Sequence, residues 1–258
     1  MTDLNDEWKN YIKSLKTELI ESEYKSKMYF SDPLVKVYEN IVSDDECKHF
    51  IEISKNNLTR ALVSDSCEGS ISDDRTGRNT WIQHDHDDIT KRVGERIANI
   101  VGLPLKNAEQ FQIIHYGKNQ EYKSHYDSWE HDCSEKTLRC MKWGGARLLT
   151  ALCYLNTVKK GGGTQMTRLN TIIKAKKGRM LVFENTYKDN HNIHPLSEHS
   201  GMPVIDGEKY AFNLWFRECN STQLYSTFNP KYYTKSEKSN SIHKLEPPCK
   251  EPTCKNMF

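Results

Sequence analysis

No stretch of the 258-residue chain approaches the roughly 18–20 apolar residues that a membrane-spanning helix needs. The opening residues, MTDLNDEWKN, are acidic and polar, without the apolar run of a secretory signal. An excess of one charge is missing too: 37 Lys and Arg stand against 35 Asp and Glu, a net charge of +2. That balance gives no general reason to expect a nucleic acid or a membrane as partner. Cysteine is sparse, at eight residues, well below the density of a disulfide scaffold. No two cysteines form Cys-x-x-Cys. The closest spacings, Cys133 to Cys140 and Cys249 to Cys254, fit no zinc half-site. Reduced thiols in a cytoplasmic setting are therefore expected. Nothing in the composition specifies an oligomeric state.

What is present describes a polar globular chain, 36% hydrophobic and 28% charged, with a mean hydropathy of −0.79. Its length allows one large domain or two small ones. Three parts are expected: an N-terminal amphipathic helix within 1–30, a main domain over 31–219, and a polar tail over 220–258. Trp8, Ile12, Leu15 and Leu19 recur at helical spacing, and the helix is drawn to about Tyr29, before Ser31-Asp32-Pro33. A short strand is expected at 34–38. Ser43 and the acidic residues after it signal a helix to about residue 55. Asp87 or Asp88 caps another helix, with Ile89, Val93 and Ile97 on one face and Gly102 and Pro104 ending it. Residues 64–79, rich in Ser, Asp and Gly, read as a mobile loop, and 128–143 as a flexible rim loop. From Phe111 onward the texture changes to short β-branched and aromatic runs at 111–116, 146–155, 171–174, 179–183 and 209–216. Their spacing predicts an antiparallel sandwich or barrel.

His-x-Asp places an imidazole and a carboxylate two residues apart, and on a strand such positions face the same side. One distant histidine would complete a two-histidine, one-carboxylate triad, which leaves open positions on a non-haem Fe(II). The pattern occurs twice. His86-Asp87-Asp88 lies in a charged run before a helix and reads as a solvated loop with a cap. His125-Tyr126-Asp127 follows Tyr116-Gly117 and Tyr122, in a strand-turn-strand region. His191, His194 and His199 are all candidates for the third position. Lys209 opens a strand on which Lys209, Ala211, Asn213, Trp215 and Arg217 share a face. A lysine pointing into a barrel needs a partner charge, supplied by a bound dicarboxylate or by a structural ion pair.

With these residues assembled, the chain resembles the catalytic domain of the prolyl 4-hydroxylases, Fe(II)- and 2-oxoglutarate-dependent dioxygenases, in their short algal, plant and viral form. The likeness runs from about Leu34 to Glu218. Its segments fall in family order: Arg75-Thr76-Gly77-Arg78-Asn79-Thr80-Trp81, then Tyr116, Tyr122 and His125-Tyr126-Asp127. Gly145-Ala146-Arg147, Tyr154-Leu155-Asn156 and Gly161-Gly162-Gly163-Thr164 follow. His199-Ser200-Gly201-Met202-Pro203-Val204 and Gly207-Glu208-Lys209, leading to Trp215, complete the set.

The resemblance implies a mainly β chain with flanking helices, folded as a double-stranded β-helix or jelly-roll barrel. It implies iron held by His125, Asp127 and His199. Lys209 would pair with the distal carboxylate of 2-oxoglutarate, with Thr164 and Tyr116 donating to the same group. Tyr122, Arg147 and Trp215 would face a proline-containing peptide, and the loop from Arg75 to Trp81 would fold over it. Dioxygen is the other co-substrate, succinate and carbon dioxide the co-products, and ascorbate the usual reductant for oxidised iron. Three departures stand out. Gly163 and Met166-Thr167 replace the family's Glu and Phe-Pro. Arg75-Thr76-Gly77-Arg78-Asn79 stands where the family usually has Arg-Thr-Ser-x-Gly. These changes fall where the family meets its substrate. They keep two other readings open: the same chemistry on peptidyl lysine or a small molecule, and a non-catalytic binding module of the same fold.

Overall fold

A computed structural model of the chain describes residues 24–64, 69–130, 134–188 and 192–225. The residues that carry the expected N-terminal helix pattern, and most of the expected tail, lie outside the described residues. In chain order the strands are β1 (Ser26–Ser31), β2 (Leu34–Tyr38), β3 (Thr59–Arg60), β4 (Arg78–Ile82), β5 (Phe111–Tyr116), β6 (Tyr122–His125) and β7 (Arg147–Tyr154). They continue as β8 (Lys160–Gly161), β9 (Thr164–Met166), β10 (Thr171–Ile173), β11 (Met180–Glu184), β12 (His199–Gly201), β13 (Val204–Asp206) and β14 (Lys209–Arg217). Three α-helices accompany them among the described residues: α1 (Asp44–Ser54), α2 (Asp88–Val101) and α3 (Glu135–Met141).

The larger sheet has the order β1-β2-β11-β7-β14-β5-β4-β3, and a second sheet has the order β10-β9-β12-β6. β8 and β13 form a separate pair. Every pairing is antiparallel. This is the jelly-roll layout, mainly β, with α1 and α2 packed on one face of the larger sheet.

Alternation along the long strands builds two cores. On β14, Phe212, Leu214 and Phe216 point into a cluster with Phe50, Val93, Ile97 and Phe111, under α1 and α2. Ala211 points the other way, to a cluster between the sheets with Tyr154, Phe183 and Met166. Period-two patterning thus gives β14 one face for the helices and one for the barrel interior. Both long helices start as the sequence signals. Ser43 forms a capping box with Glu46, and Asp87 accepts from the backbone N–H groups of Ile89 and Thr90. Gly102 ends α2 in the left-handed region at φ +70°. His86 is exposed beside that cap, as its solvated-loop reading requires. No helix among the described residues is long and apolar enough to cross a membrane.

Two expectations are corrected. The helix drawn to Tyr29 does not reach that far, because 26–31 is strand β1, folded back on β2 with Ser31 opposite Leu34. The apolar helical period stops at Leu19, while Tyr29 and Phe30 have the aromatic character that suits a pleated, half-buried surface. The rim loop at 128–143 contains α3, with Ser134 as its N-cap. Among the described residues Cys47, Cys140, Cys153 and Cys219 stand outside any disulfide.

Candidate active site

β6 and β12 lie side by side in the smaller sheet, and their register sets His199 opposite His125. Asp127 follows β6 directly. His125 Nε2 is 3.6 Å from Asp127 Oδ1, and His199 Nε2 is 3.5 Å from Asp127 Oδ2. One potential ligand atom from each residue lies within 4.8 Å of the others, the one such group of three among the described residues. His191 lies outside the described residues. His194 is buried elsewhere, its ring 4.5 Å from that of Tyr187.

Each site histidine is fixed through its other ring nitrogen. His125 Nδ1 is 2.8 Å from the Lys123 carbonyl, and His199 Nδ1 is 2.9 Å from the Ser197 carbonyl. An Nδ1–H donating to these carbonyls leaves Nε2 with a bare lone pair. Burial pushes His199 down to about 4, so it is a neutral imidazole at neutral pH. Burial opposes ionisation of Asp127, but the His199 and His125 rings and the Arg147 guanidinium outweigh it and hold its carboxyl well below the usual range. Two imidazoles and one carboxylate are the donor set that suits a non-haem Fe(II) with open positions.

The same cavity, about 1000 Å³, is lined by Lys209, Thr164 and Tyr116. Lys209 is 2% exposed and makes no hydrogen bond or ion pair with a described residue. Its ammonium lies over the rings of Tyr154 and Tyr116, at 5.4 and 5.8 Å. Burial without a partner pushes it down to about 8. An isolated buried cation is costly unless something anionic joins it. Thr164 Oγ1 accepts from the Tyr154 hydroxyl at 2.8 Å, which leaves its own O–H free to donate into the cavity. The turn before Thr164 needs glycine: Gly161 has φ +78°, and a Cβ there would lie 2.1 Å from the Pro203 carbonyl oxygen.

The rim carries the remaining expected residues. Trp81 is 45% exposed, with its ring 5.9 Å from that of Trp215. Tyr122 stacks on His125 at 3.6 Å, and burial raises its phenol to about 12. Arg75 is 7% exposed and sits over the Tyr122 ring at 4.8 Å. It donates to the Leu62 carbonyl and to Gln112 Oε1, while its buried Nε has no partner among the described residues. The loop bearing Arg75 is stapled to β6. Thr76 exchanges backbone and hydroxyl bonds with Glu121, and Lys123 pairs with Asp74 at 2.8 Å.

Arg147 and Trp215 both line the cavity and are also tied into the wall behind it. Arg147 lines the cavity, but Glu109 grips its guanidinium through both oxygens, and it lies flat over Trp215 at 3.6 Å. Glu109 also binds Arg217, at 2.7 Å. Burial alone would raise Glu109; the two guanidiniums reverse that and hold it at about 2. Trp215 is 4% exposed, and its indole N–H donates to Asp127 Oδ2 at 2.9 Å. Sequence reasoning missed Glu109, Thr150 and Asn185. None sits in a motif, and each acts on a partner far away in the chain. Tyr154 stood inside a quoted motif without a role. Its signal was period-two placement on β7, facing the barrel interior.

The fold and this constellation define a class, the oxygenases that use Fe(II) and 2-oxoglutarate. The family model described as the 2OG-Fe(II) oxygenase superfamily matches residues 111–217. A relative from Acanthamoeba polyphaga mimivirus, assigned to the prolyl 4-hydroxylases, is 34% identical over 192 residues, covering 72% of this chain and 76% of that one. Prolyl 4-hydroxylase 2 of Arabidopsis thaliana is 33% identical over 214 residues, covering 74% and 69%. Among solved structures, the viral collagen prolyl hydroxylase of Paramecium Bursaria Chlorella virus-1, determined with 2OG, aligns with a TM-score of 0.57 and 26% identity, covering 71% and 95%. The chain belongs to the prolyl 4-hydroxylase family of 2OG-Fe(II) oxygenases.

Proposed function

We propose that this chain hydroxylates peptidyl proline, with Fe(II), 2-oxoglutarate and dioxygen, as a prolyl 4-hydroxylase. The observation that carries the reading is one cavity lined by both the His125, Asp127 and His199 cluster and the unpaired, buried Lys209. Fe(II) bound with 2-oxoglutarate and dioxygen supplies the oxidation of a substrate C–H to C–OH as 2-oxoglutarate becomes succinate and carbon dioxide. A binding module that merely kept the fold would have no need of three free donors and an unpartnered cation together.

The protein's own residues divide the work. His125, Asp127 and His199 hold the metal. Lys209 binds the distal carboxylate of 2-oxoglutarate, and Thr164 and Tyr116 orient it by donating hydrogen bonds. The apolar walls formed by Leu152, Ile114 and Phe183 keep bulk water from the reacting centre. Trp81 offers its exposed aromatic face to the proline ring, and Tyr122 and Trp215, whose rings are covered by Arg75 and Arg147, form the cleft wall beside it. Ascorbate serves as the reductant that returns oxidised iron to Fe(II).

The test is a mass-spectrometric assay with Fe(II), 2-oxoglutarate and ascorbate on collagen-like Pro-Pro-Gly repeats and other proline tracts. A one-oxygen gain on proline, lost in His199→Ala, is expected. Succinate without peptide oxidation would move the substrate to lysine or a small molecule. Metal binding with neither product would leave the binding module.

A further inference from the structure

Asp127 Oδ2 accepts two hydrogen bonds from side chains. The Thr150 hydroxyl on β7 donates at 2.7 Å, and the Trp215 indole N–H on β14 donates at 2.9 Å. Thr150 is itself held. The Asn185 amide donates to its Oγ1 at 2.9 Å, and of the two acceptors in reach of the hydroxyl proton Asp127 Oδ2, at 2.7 Å, is closer than Asn185 Oδ1, at 3.3 Å. Thr150 and Asn185 are almost completely buried, and Arg147 lies over the Trp215 ring at 3.6 Å. Arg147 is in turn fixed by Glu109. Both donors therefore sit in positions their surroundings fully determine.

We infer that Thr150 and Trp215 are positioning residues for the metal. Together they saturate one carboxylate oxygen of Asp127 and present the other, Oδ1, as a single donor. A free carboxylate can chelate through both oxygens. A carboxylate with Oδ2 engaged twice donates through one. Two imidazoles and one carboxylate oxygen would leave positions open on the metal for a 2-oxo acid and dioxygen. Chelation by both oxygens would leave one fewer. The inference rests on the proposed metal site and deepens it. It assigns Trp215 a role beyond forming the cleft wall, and it gives Thr150 and Asn185 a function that no motif marks.

Partners of this kind change metal affinity by roughly 10–100-fold when removed. The experiment titrates the metal-free full-length protein with Mn(II), chosen because it does not turn over. The readouts are the dissociation constant and the paramagnetic resonance spectrum, with and without 2-oxoglutarate. Four proteins are compared: unsubstituted, Thr150→Val, Thr150→Ser and Trp215→Phe. Val keeps the shape of Thr and removes the hydroxyl, Ser restores the hydroxyl, and Phe keeps an aromatic ring without the N–H.

The expected result is weaker Mn(II) binding in Thr150→Val and Trp215→Phe, by about 10-fold or more. Thr150→Ser stays near the parent, and the two weakened variants show an altered Mn(II) spectrum. Trp215→Phe lies on a different strand from Thr150, so the inference stays testable if Thr150→Val fails to fold. Parental affinity and spectrum in folded variants would overturn the inference while leaving the metal site standing. Absence of Mn(II) binding by the unsubstituted protein would overturn both.

Discussion

His125 and His199 are direct partners across the β6–β12 ladder, although most of the barrel lies between them in the chain. Their ring centroids are 4.3 Å apart, and Asp127 stands against both. The register of one short strand pair therefore fixes two of the three donors. His199→Ala or His125→Ala removes one donor without touching the long strands. Loss of stoichiometric Mn(II) or Fe(II) binding is expected, with a thermal midpoint close to the parent's. Metal content after dialysis and a melting curve check both. A variant that still holds one metal per chain would dissociate that histidine from the site.

Lys209 gives a pH prediction. Burial lowers its ammonium to about 8, below the ordinary value near 10.4. Only the charged form attracts a carboxylate, so 2-oxoglutarate affinity should fall as pH rises through about 8. The anion stabilises the charge once bound, so the apparent midpoint in the complex lies higher. Stability runs the opposite way in the free protein. A buried lysine with a lowered pKa weakens the fold while charged, and that penalty is relieved between about 8 and the unfolded value. Titration of the Mn(II)-loaded protein with 2-oxoglutarate between roughly pH 6.5 and 9.5 tests this. A flat profile for the parent, matching that of Lys209→Met, would remove Lys209 from carboxylate binding.

How far the sequence reaches can be judged residue by residue. The strands 111–116 and 209–216 were legible because alternation and β-branched content persist through them. The helix caps at Ser43 and Asp87 were legible because capping is local chemistry. His125 and Asp127 were visible as a pair because i and i+2 share a strand face. The third donor was not fixed by pattern: three histidines competed, and only family order separated them. Glu109 and Asn185 were invisible, because each matters through partners brought near by the sheet rather than by spacing. β1 was misread for the converse reason, a helical period carried past the point where it ends. α3 hid in a polar segment whose one clear signal was the Ser134 cap.

Glu109 anchors two guanidiniums, Arg147 at 2.8 Å and Arg217 at 2.7 Å, with both arginines largely buried. Glu109→Gln keeps the size and removes the charge, leaving two buried cations facing each other. Breaking a buried ion cluster in this way costs about 3–5 kcal/mol. The denaturant midpoint should fall accordingly, with the m-value unchanged. A loss below about 1 kcal/mol would mean that solvent, not Glu109, neutralises the pair.

Tyr154 donates to Thr164 Oγ1 deep in the cavity. Tyr154→Phe removes that bond and keeps the ring beside Lys209. Thr164 then loses the contact that turns its own proton toward the co-substrate. Net hydrogen-bond contributions of about 0.5–1.5 kcal/mol set the scale, so 2-oxoglutarate affinity should weaken by roughly 2- to 12-fold. Mn(II) affinity in the absence of 2-oxoglutarate should not change. Equal weakening of both would point to a general loosening of the barrel instead.

Gly77 stands where the family usually carries a serine, and the structure supplies a reason for the difference. A Cβ at this position would meet Tyr116 Cε1 at 2.5 Å and the His115 carbonyl oxygen at 2.8 Å. The first atom belongs to a ring that can turn, but the second is backbone, so the loop cannot simply absorb the methyl group. Gly77→Ala should therefore move the Tyr116 ring or lift the loop that carries Arg75. The two responses are separable. A displaced Tyr116 weakens 2-oxoglutarate binding, because its hydroxyl is a proposed donor to the distal carboxylate. A lifted loop raises KM for the peptide, because Arg75 and the β6 contacts of Thr76 move with it. Titration with 2-oxoglutarate and peptide kinetics on one preparation distinguish them. Parental values in both would show that the close approach of Gly77 to Tyr116 is incidental to the site.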